Sequence, residues 1–224
     1  MAVQGADPTG RGLLDTLNDD DRGRLLSTTQ RRRFAAGEVI FHEGDRGDSV
    51  FLIERGHVAI RVGTPLGDVA TLTMLGPGSA FGELALLDGK ERRSASAVAL
   101  SATDTRVVDH AGFEALRRDH PPIERFLVEL LAAQVRRLSE LAVEVMFVPA
   151  DTRVLRRLLA VANQFGHEGG AVIELTQDDL ASMAGTTRPT TNRVLKRAEA
   201  DGLLRLGRGR IEILDAEGLT YRAR

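Results

Sequence analysis

The sequence predicts an α+β protein in three consecutive parts: a small β-barrel, one long helix, and a helix-turn-helix closed by a β-hairpin wing. Three observations predict it. Short β-prone runs separated by glycines fill the first half of the chain. A leucine stripe at heptad spacing follows Pro121 and Pro122. Two short helices, each with its own capping residue and a glycine turn between them, precede the Gly207–Arg208–Gly209–Arg210 turn near the end. The expected division is 1–30 as a helical lead-in, 31–118 as the barrel, 119–148 as the long helix, and 149–224 as the winged helix-turn-helix.

The elements follow from local chemistry. MAVQGADPTGRG is a loose polar lead-in, and Leu13, Leu14, Leu17, Leu25 and Leu26 are spaced for one or two short helices. From Arg31 the texture changes. Phe34, Val39–Phe41, Val50–Ile53 and Val58–Val62 are β-prone runs, punctuated by Gly37, Gly44, Gly47, Gly56, Gly63 and Gly67. Short strands joined by glycine turns read as a small barrel or sandwich. The pattern resumes at Ala70–Leu75, Ser96–Leu100 and Thr105–Val108. Proline is well placed at a helix start. Leu127, Leu131, Gln134, Leu138, Leu141 and Val145 then recur at alternating spacings of four and three, a seam that calls for a partner helix. A parallel homodimer through 123–145 is the expected partner; packing of the stripe within one chain is the alternative. The apolar face of Val154–Ala162 opens the last part, and Leu203–Leu206 with Ile211–Leu214 reads as a hairpin.

Composition limits the function. There is no cysteine, which excludes disulfides, thiolate chemistry and cysteine-held iron–sulfur clusters. The N-terminus lacks the apolar stretch of a signal peptide and no run is long enough to span a bilayer, so a cytoplasmic protein without a membrane partner is expected. His42, His57 and His110 read as surface or turn histidines rather than haem or metal ligands. The net charge is −2, but it is unevenly distributed: residues 149–224 carry 12 basic and 10 acidic side chains, while 1–148 carry 18 and 22. No metal-ligand cluster, activated nucleophile or acid–base pair is in evidence, so no catalytic residue is assigned and an enzyme is not expected.

The segment GELALLDGKERRS, from Gly82 to Ser94, carries the first candidate site. Amide groups at Gly82, Glu83 and Leu84, opening a helical turn, suit an anion. Glu83 suits a pair of hydroxyls, since a carboxylate accepts hydrogen bonds and repels phosphate. Arg93 offers a donor fork matched to phosphate oxygens, with the hydroxyl of Ser94 beside it. Together these fit a nucleoside monophosphate; the alternative is a Glu83–Arg93 ion pair that only braces the barrel.

GPGSAFGE (Gly76–Glu83), GKERRSASA (Gly89–Ala97) and FAAGEVIFHEGDRGDSVFLIERGHVAI (Phe34–Ile60) resemble the cyclic-nucleotide-binding domain, a jelly-roll β-barrel. From about Leu25 onward the chain resembles the superfamily of the cyclic-AMP receptor protein and the fumarate–nitrate regulator. The resemblance implies that Gly82–Glu83 contact cyclic phosphate and ribose, and that Arg93–Ser94 hold the phosphate. It also puts the adenine-contacting pair of the long helix at Leu138 and Ser139, where Leu138 departs from the hydroxyl-bearing pattern. Cyclic AMP is therefore the first expectation for the effector, with cyclic GMP or another ligand open.

The second site lies in LTQDDLASMAGTTRPTTNRVLKRAEADGLL (Leu175–Leu204). Thr176 with Asp179 makes a capping box, Gly185 supplies the turn, Thr187 caps the next helix and Pro189 sits in its first turn. Arg188 and Arg193 suit guanine edges and Asn192 suits adenine. Thr186, Thr187 and Lys196 suit phosphates, and Arg208 marks a wing beside the backbone. An ordinary helical pair with solvated charges is the alternative. The segment resembles the superfamily's winged helix-turn-helix. Its Arg-Glu-x-x-x-Arg run stands here as Arg188–Pro189–Thr190–Thr191–Asn192–Arg193, with proline in place of glutamate. The implied function is a homodimeric transcription regulator acting on two-fold related DNA half-sites, with RNA polymerase as a further implied partner. A ligand-independent or differently gated DNA-binding dimer is the alternative.

Overall fold

A computed structural model describes residues 29–64, 67–84, 92–119, 121–164 and 172–224. The lead-in helices expected before residue 29, and Gly89–Glu91 of the first motif, lie outside the described residues. The described chain forms two compact units, one made of 29–69 and 73–135, the other of 70–72 and 136–224.

Strands β1 (Gln30–Phe34), β2 (Val39–Phe41), β3 (Ser49–Arg55), β4 (Val58–Gly63), β5 (Val69–Leu75, the middle of which is counted with the second unit), β6 (Ala80–Phe81), β7 (Ser96–Ala99) and β8 (Thr103–Asp109) pair as two four-stranded sheets. Their orders are β1-β8-β3-β6 and β2-β7-β4-β5. Among the described residues the pairing is that of two four-stranded sheets. Phe51, Ile53, Val58, Phe81 and Ala97 form the buried core, with Phe34, Ile40, Phe41, Ile60, Leu75 and Val107 packed against them. The Phe51 and Phe81 rings stack with centroids 5.1 Å apart. Alternation of inward and outward residues puts apolar groups on the facing sides of both sheets.

Helix α1 (His110–Asp119) follows β8 directly. The sequence reading did not assign it: its apolar content is sparse, and among its described side chains only Phe113 is deeply buried. Helix α2 (Pro121–Phe147) starts at the proline pair, as expected. Part of the predicted seam is open, with Leu138 and Val145 exposed and Leu131 half-covered, while the side chains of Leu127 and Gln134 lie outside the described residues. Val128, Val135, Leu138 and Val145 are 44–65% exposed, and with Leu131 and Ala142 they recur at spacings of three and four. Leu141, assigned to the seam from sequence, is half-covered. A leucine-rich helix has two adjacent apolar flanks, and periodicity alone does not say which is left open.

The second unit contains α3 (Ala150–Gln164), β9 (Val172–Ile173), α4 (Gln177–Met183), α5 (Arg188–Ala200), β10 (Leu204–Gly207), β11 (Arg210–Ile213) and α6 (Ala216–Arg222). Val154, Leu155, Leu158, Leu180, Ala184, Val194 and Leu195 are buried together where α3, α4 and α5 pack. The hairpin is as expected, with Gly209 at φ +68° in its turn. Two additions were not read from the sequence: β9 pairs with β11 to make a three-stranded sheet, and α6 packs on α3.

Gly56, between β3 and β4, tests the fit of the first unit. It sits at φ +86°, and a Cβ there would lie 2.5 Å from both the Ala102 carbonyl oxygen and Thr103 Oγ1. Gly56→Ala combines backbone strain with a clash against fixed backbone, so it should cost about 2 kcal/mol or more in thermal or urea unfolding.

Candidate functional site

The phosphate-suited end of the first site is built around Arg93, which is only 4% exposed. Its backbone is pinned on both sides: Arg93 N–H donates to the Asp45 carbonyl and Gly44 N–H donates to the Arg93 carbonyl, each at 2.8 Å. Arg93 Nη1 donates to the carbonyls of Ser49 (2.8 Å) and Gly82 (2.9 Å), and Nη2 donates to Ser49 Oγ (3.0 Å). The guanidinium lies over the Phe41 ring, 4.2 Å from its centroid. Nε is buried without a hydrogen-bond partner. A buried polar donor left open is costly unless something fills it. Burial pulls the Arg93 pKa below the usual arginine value, while Asp48, Asp45 and Glu83 oppose that shift.

Gly82 is the residue that lets this happen. It adopts φ +87°, and a Cβ there would stand 2.6 Å from Arg93 Nη1. Glu83 follows and is partly buried, and burial raises its pKa above the ordinary 4.5, against the lowering effects of its own backbone N–H and of Arg93. Among the described residues no ion pair joins Glu83 to Arg93; the guanidinium is spent on carbonyls and a hydroxyl. Leu84 opens the helical turn and is exposed, and so is Ser94. Leu138 and Ser139 stand exposed on α2. Two site residues were missed from sequence, Ser49 and Phe41. They lie 44 and 52 residues from Arg93, and nothing in their neighbourhood marks them.

The helix-turn-helix assembles by the predicted local bonds. Thr176 Oγ1 accepts from Asp179 N–H (3.1 Å) and donates to Asp179 Oδ2 (2.6 Å). Gly185 takes φ +58° in the turn, and Thr187 Oγ1 accepts from Thr190 N–H. Arg188, Asn192, Arg193, Lys196 and Arg197 share the exposed face of α5, while Thr191, Val194, Leu195 and Ala198 are buried. Thr187 is exposed, Thr186 is half-buried, and Arg208 is exposed at the tip of the wing.

One further group joins α2 to the turn. Arg153, 8% exposed, donates from Nε to the Ala184 carbonyl (2.8 Å) and from Nη2 to Gly185 (2.9 Å). Its Nη1 donates to Val148 (2.6 Å) and Val145 (3.3 Å). Glu144 Oε1 accepts from Arg156 at 3.3 Å and Oε2 accepts from Arg157.

Residues 31–120 match the family model of the cyclic nucleotide-binding domain, and residues 152–222 match that of the Crp-like helix-turn-helix domain. The cyclic AMP receptor protein of Thermus thermophilus is 36% identical, over 92% of this chain and 94% of that protein. The chain belongs to the CRP/FNR superfamily of transcription regulators. The CRP-like cAMP-activated global transcriptional regulator of Mycobacterium tuberculosis is 34% identical over 95% of this chain and 96% of its own length. The crystal structure of the Thermus thermophilus catabolite activator protein matches 94% of this chain and 97% of its own at 34% identity, with a TM-score of 0.55. This CRP/FNR member is thus a DNA-binding transcription regulator with an N-terminal nucleotide-binding domain, not an enzyme. Among the described residues, no group of three or more His, Asp or Glu is arranged to hold a metal ion, and no helix is long and apolar enough to cross a membrane.

The raised pKa of Glu83 has a thermodynamic signature. The folded state holds its proton to higher pH than the unfolded chain, so stability is lost as pH rises from the ordinary value through the folded one. Without nucleotide, Glu83→Gln should melt at a higher temperature than the parent near pH 7, and the gap should close below about pH 4.5. Scanning calorimetry across that range checks it.

Proposed function

We propose that the regulator is a parallel homodimer, paired through residues 123–145 of α2, whose DNA binding is gated by a cyclic nucleotide in the N-terminal domain. The division proposed for the described chain is 31–118 for the nucleotide-binding part, closing as a jelly-roll barrel around its ligand, 119–148 for the dimer helix and 149–224 for the DNA-binding part. Cyclic AMP is the first choice of effector and cyclic GMP the second. Gly82 and Leu84 offer backbone amides, Glu83 accepts from the ribose hydroxyl, Arg93 and Ser94 hold the phosphate, and Ser139 faces the base. The protein works in the cytoplasm, where its DNA is.

One observation carries this reading: a buried guanidinium, fixed by Ser49 and Gly82 and stacked on Phe41, with its Nε–H open. A permanent brace would be closed by a carboxylate. A cyclic phosphate supplies the missing acceptor and the negative charge together. The named effector of the Mycobacterium tuberculosis relative points the same way. The exposed apolar stripe of α2 supports pairing with a second copy, since four large side chains 44–65% exposed on one helix face are costly in water.

On the DNA side, Arg188 and Arg193 read guanine edges in the major groove, and Asn192 reads adenine or a phosphate. Thr186, Thr187, Lys196 and Arg208 position the helix and wing on the backbone. Nucleotide changes how the two α2 helices pair, and this re-aims the two copies of α5 toward half-sites about one helical turn apart.

Titration calorimetry of cyclic AMP, with and without a DNA duplex selected by the protein, should give tighter binding when DNA is present. Equal affinities would end the gating model. Arg93→Ala should abolish the melting shift that cyclic AMP induces, whereas loss of a mere brace would lower the melting temperature and leave the shift. For DNA, Arg193→Ala should relax sequence discrimination by about 1–3 kcal/mol. Lys196→Ala should weaken all duplexes alike and flatten the salt dependence by about one unit of slope. Anisotropy titrations over a salt series separate the two.

A further inference from the structure

The exposed face of α5 carries four cations, and each has a carboxylate within its own chain. Arg188 Nη1 lies 3.1 Å from Asp178 Oδ2, Lys196 Nζ 2.8 Å from Glu199 Oε2, and Arg197 Nη1 3.9 Å from Asp151 Oδ2. Arg193 has the best geometry of the four. Both its terminal nitrogens engage Asp151, Nη2 to Oδ1 at 2.8 Å and Nη1 to Oδ2 at 3.1 Å. Asp151 is not on α5. It lies in the first turn of α3, 42 residues earlier, and the packing of α3 on α5 brings it to the reading face. The Asp151 side chain is 39% exposed and that of Arg193 55%, so the pair is open to water and to competing anions.

We propose that Asp151 is a specificity-determining residue for DNA. It is an internal anion that occupies the end of the Arg193 fork and yields it to a guanine edge but not to a phosphate. The proposal rests on α5 being the helix that enters the groove. A duplex of the wrong sequence offers Arg193 only phosphate oxygens, acceptors of the same kind as the carboxylate it already holds. Exchanging one for the other gains little, so Arg193 adds little to general binding. The correct duplex offers O6 and N7 of a guanine in the groove, a bidentate pair in a site from which water has been expelled. That exchange is favourable. Asp151 thus lowers affinity for wrong sequences more than for the right one. Exposed pairs are worth little to stability, and this suits the role: a bond easily given up can be a filter without being a lock.

The test uses the full chain with cyclic AMP present, and two duplexes. One is selected from a random pool by the parent protein, and the other is a scramble of the same base composition. Asp151→Asn should tighten binding to the scramble by about threefold to tenfold and leave the selected duplex within about twofold. Asp151→Glu should restore the parent ratio. In an Arg193→Ala background, Asp151→Asn should shift the scramble by less than about twofold. Three results overturn the proposal: equal tightening on both duplexes, weakening of the selected duplex alone, or no change on either. The reading beneath it fails separately, if Arg193→Ala by itself leaves the parent ratio of the two duplexes intact. Melting curves of each variant establish that it is folded.

Discussion

A single buried cation joins the end of the long helix to the turn of the helix-turn-helix. The last carbonyls of a helix have no partner within it and carry its negative end. Arg153 answers two such ends at once: Val145 and Val148 where α2 finishes, and Ala184 and Gly185 where α4 finishes. The Glu144 carboxylate tightens the same joint through Arg156 and Arg157 on α3. Gly185 adds a steric condition, because a Cβ there would stand 3.1 Å from Val145 Cγ2. The end of α2 and the start of the reading unit therefore move as one piece. In the gating we propose, a change in how α2 pairs would reach α5 through this joint.

In the nucleotide-binding domain, Arg93 and Glu83 are held at a cost. Arg93 is held in plane by three hydrogen bonds and an aromatic face, with one donor left open. Glu83 sits where burial disfavours its charge. Such groups weaken the free protein and strengthen the complex, because their orientation is settled beforehand. This is also what gating demands: an effector shifts an equilibrium only through unequal affinity for its two states. Under the proposed gating, the open donor of Arg93 and the buried carboxylate of Glu83 would supply that difference locally.

The sequence made most of the architecture legible, and for identifiable reasons. Caps, turns and glycines act over a few residues, so Thr176, Gly185, Thr187 and the wing turn stood out directly. What escaped was set by partners distant in sequence. Ser49 meets Arg93 across 44 residues, Arg153 meets Ala184 across 31, and Asp151 meets Arg193 across 42. No local pattern announces such pairs. Helices α1 and α6 escaped because they are short and carry few apolar residues. On α2 the exposed Val128 and Val135 lie beside the heptad seam, on a flank that periodicity by itself does not single out.

Two departures from the superfamily pattern share a logic. Leu138 stands where the pattern has a hydroxyl-bearing residue toward the nucleobase, and Pro189 stands where it has a glutamate toward a base pair. Both fall on positions that read identity. The groups we propose for what every nucleotide and every duplex have in common keep their chemistry: Glu83 and Arg93 for ribose and phosphate, Thr186, Thr187 and Lys196 for the DNA backbone. Leucine offers no hydrogen bond to a purine edge, so discrimination among bases in the pocket must come from shape, from Ser139, or from the partner's helix. Proline in the first turn of α5 costs nothing in backbone hydrogen bonding, since that N–H is unpaired in any helix, yet it removes an acceptor for cytosine. The proposed sequence reading is then concentrated in Arg188, Asn192 and Arg193. With fewer side chains choosing the sequence, suppression of unspecific contacts carries more of the selectivity, and carboxylates paired to every cation of α5 provide it.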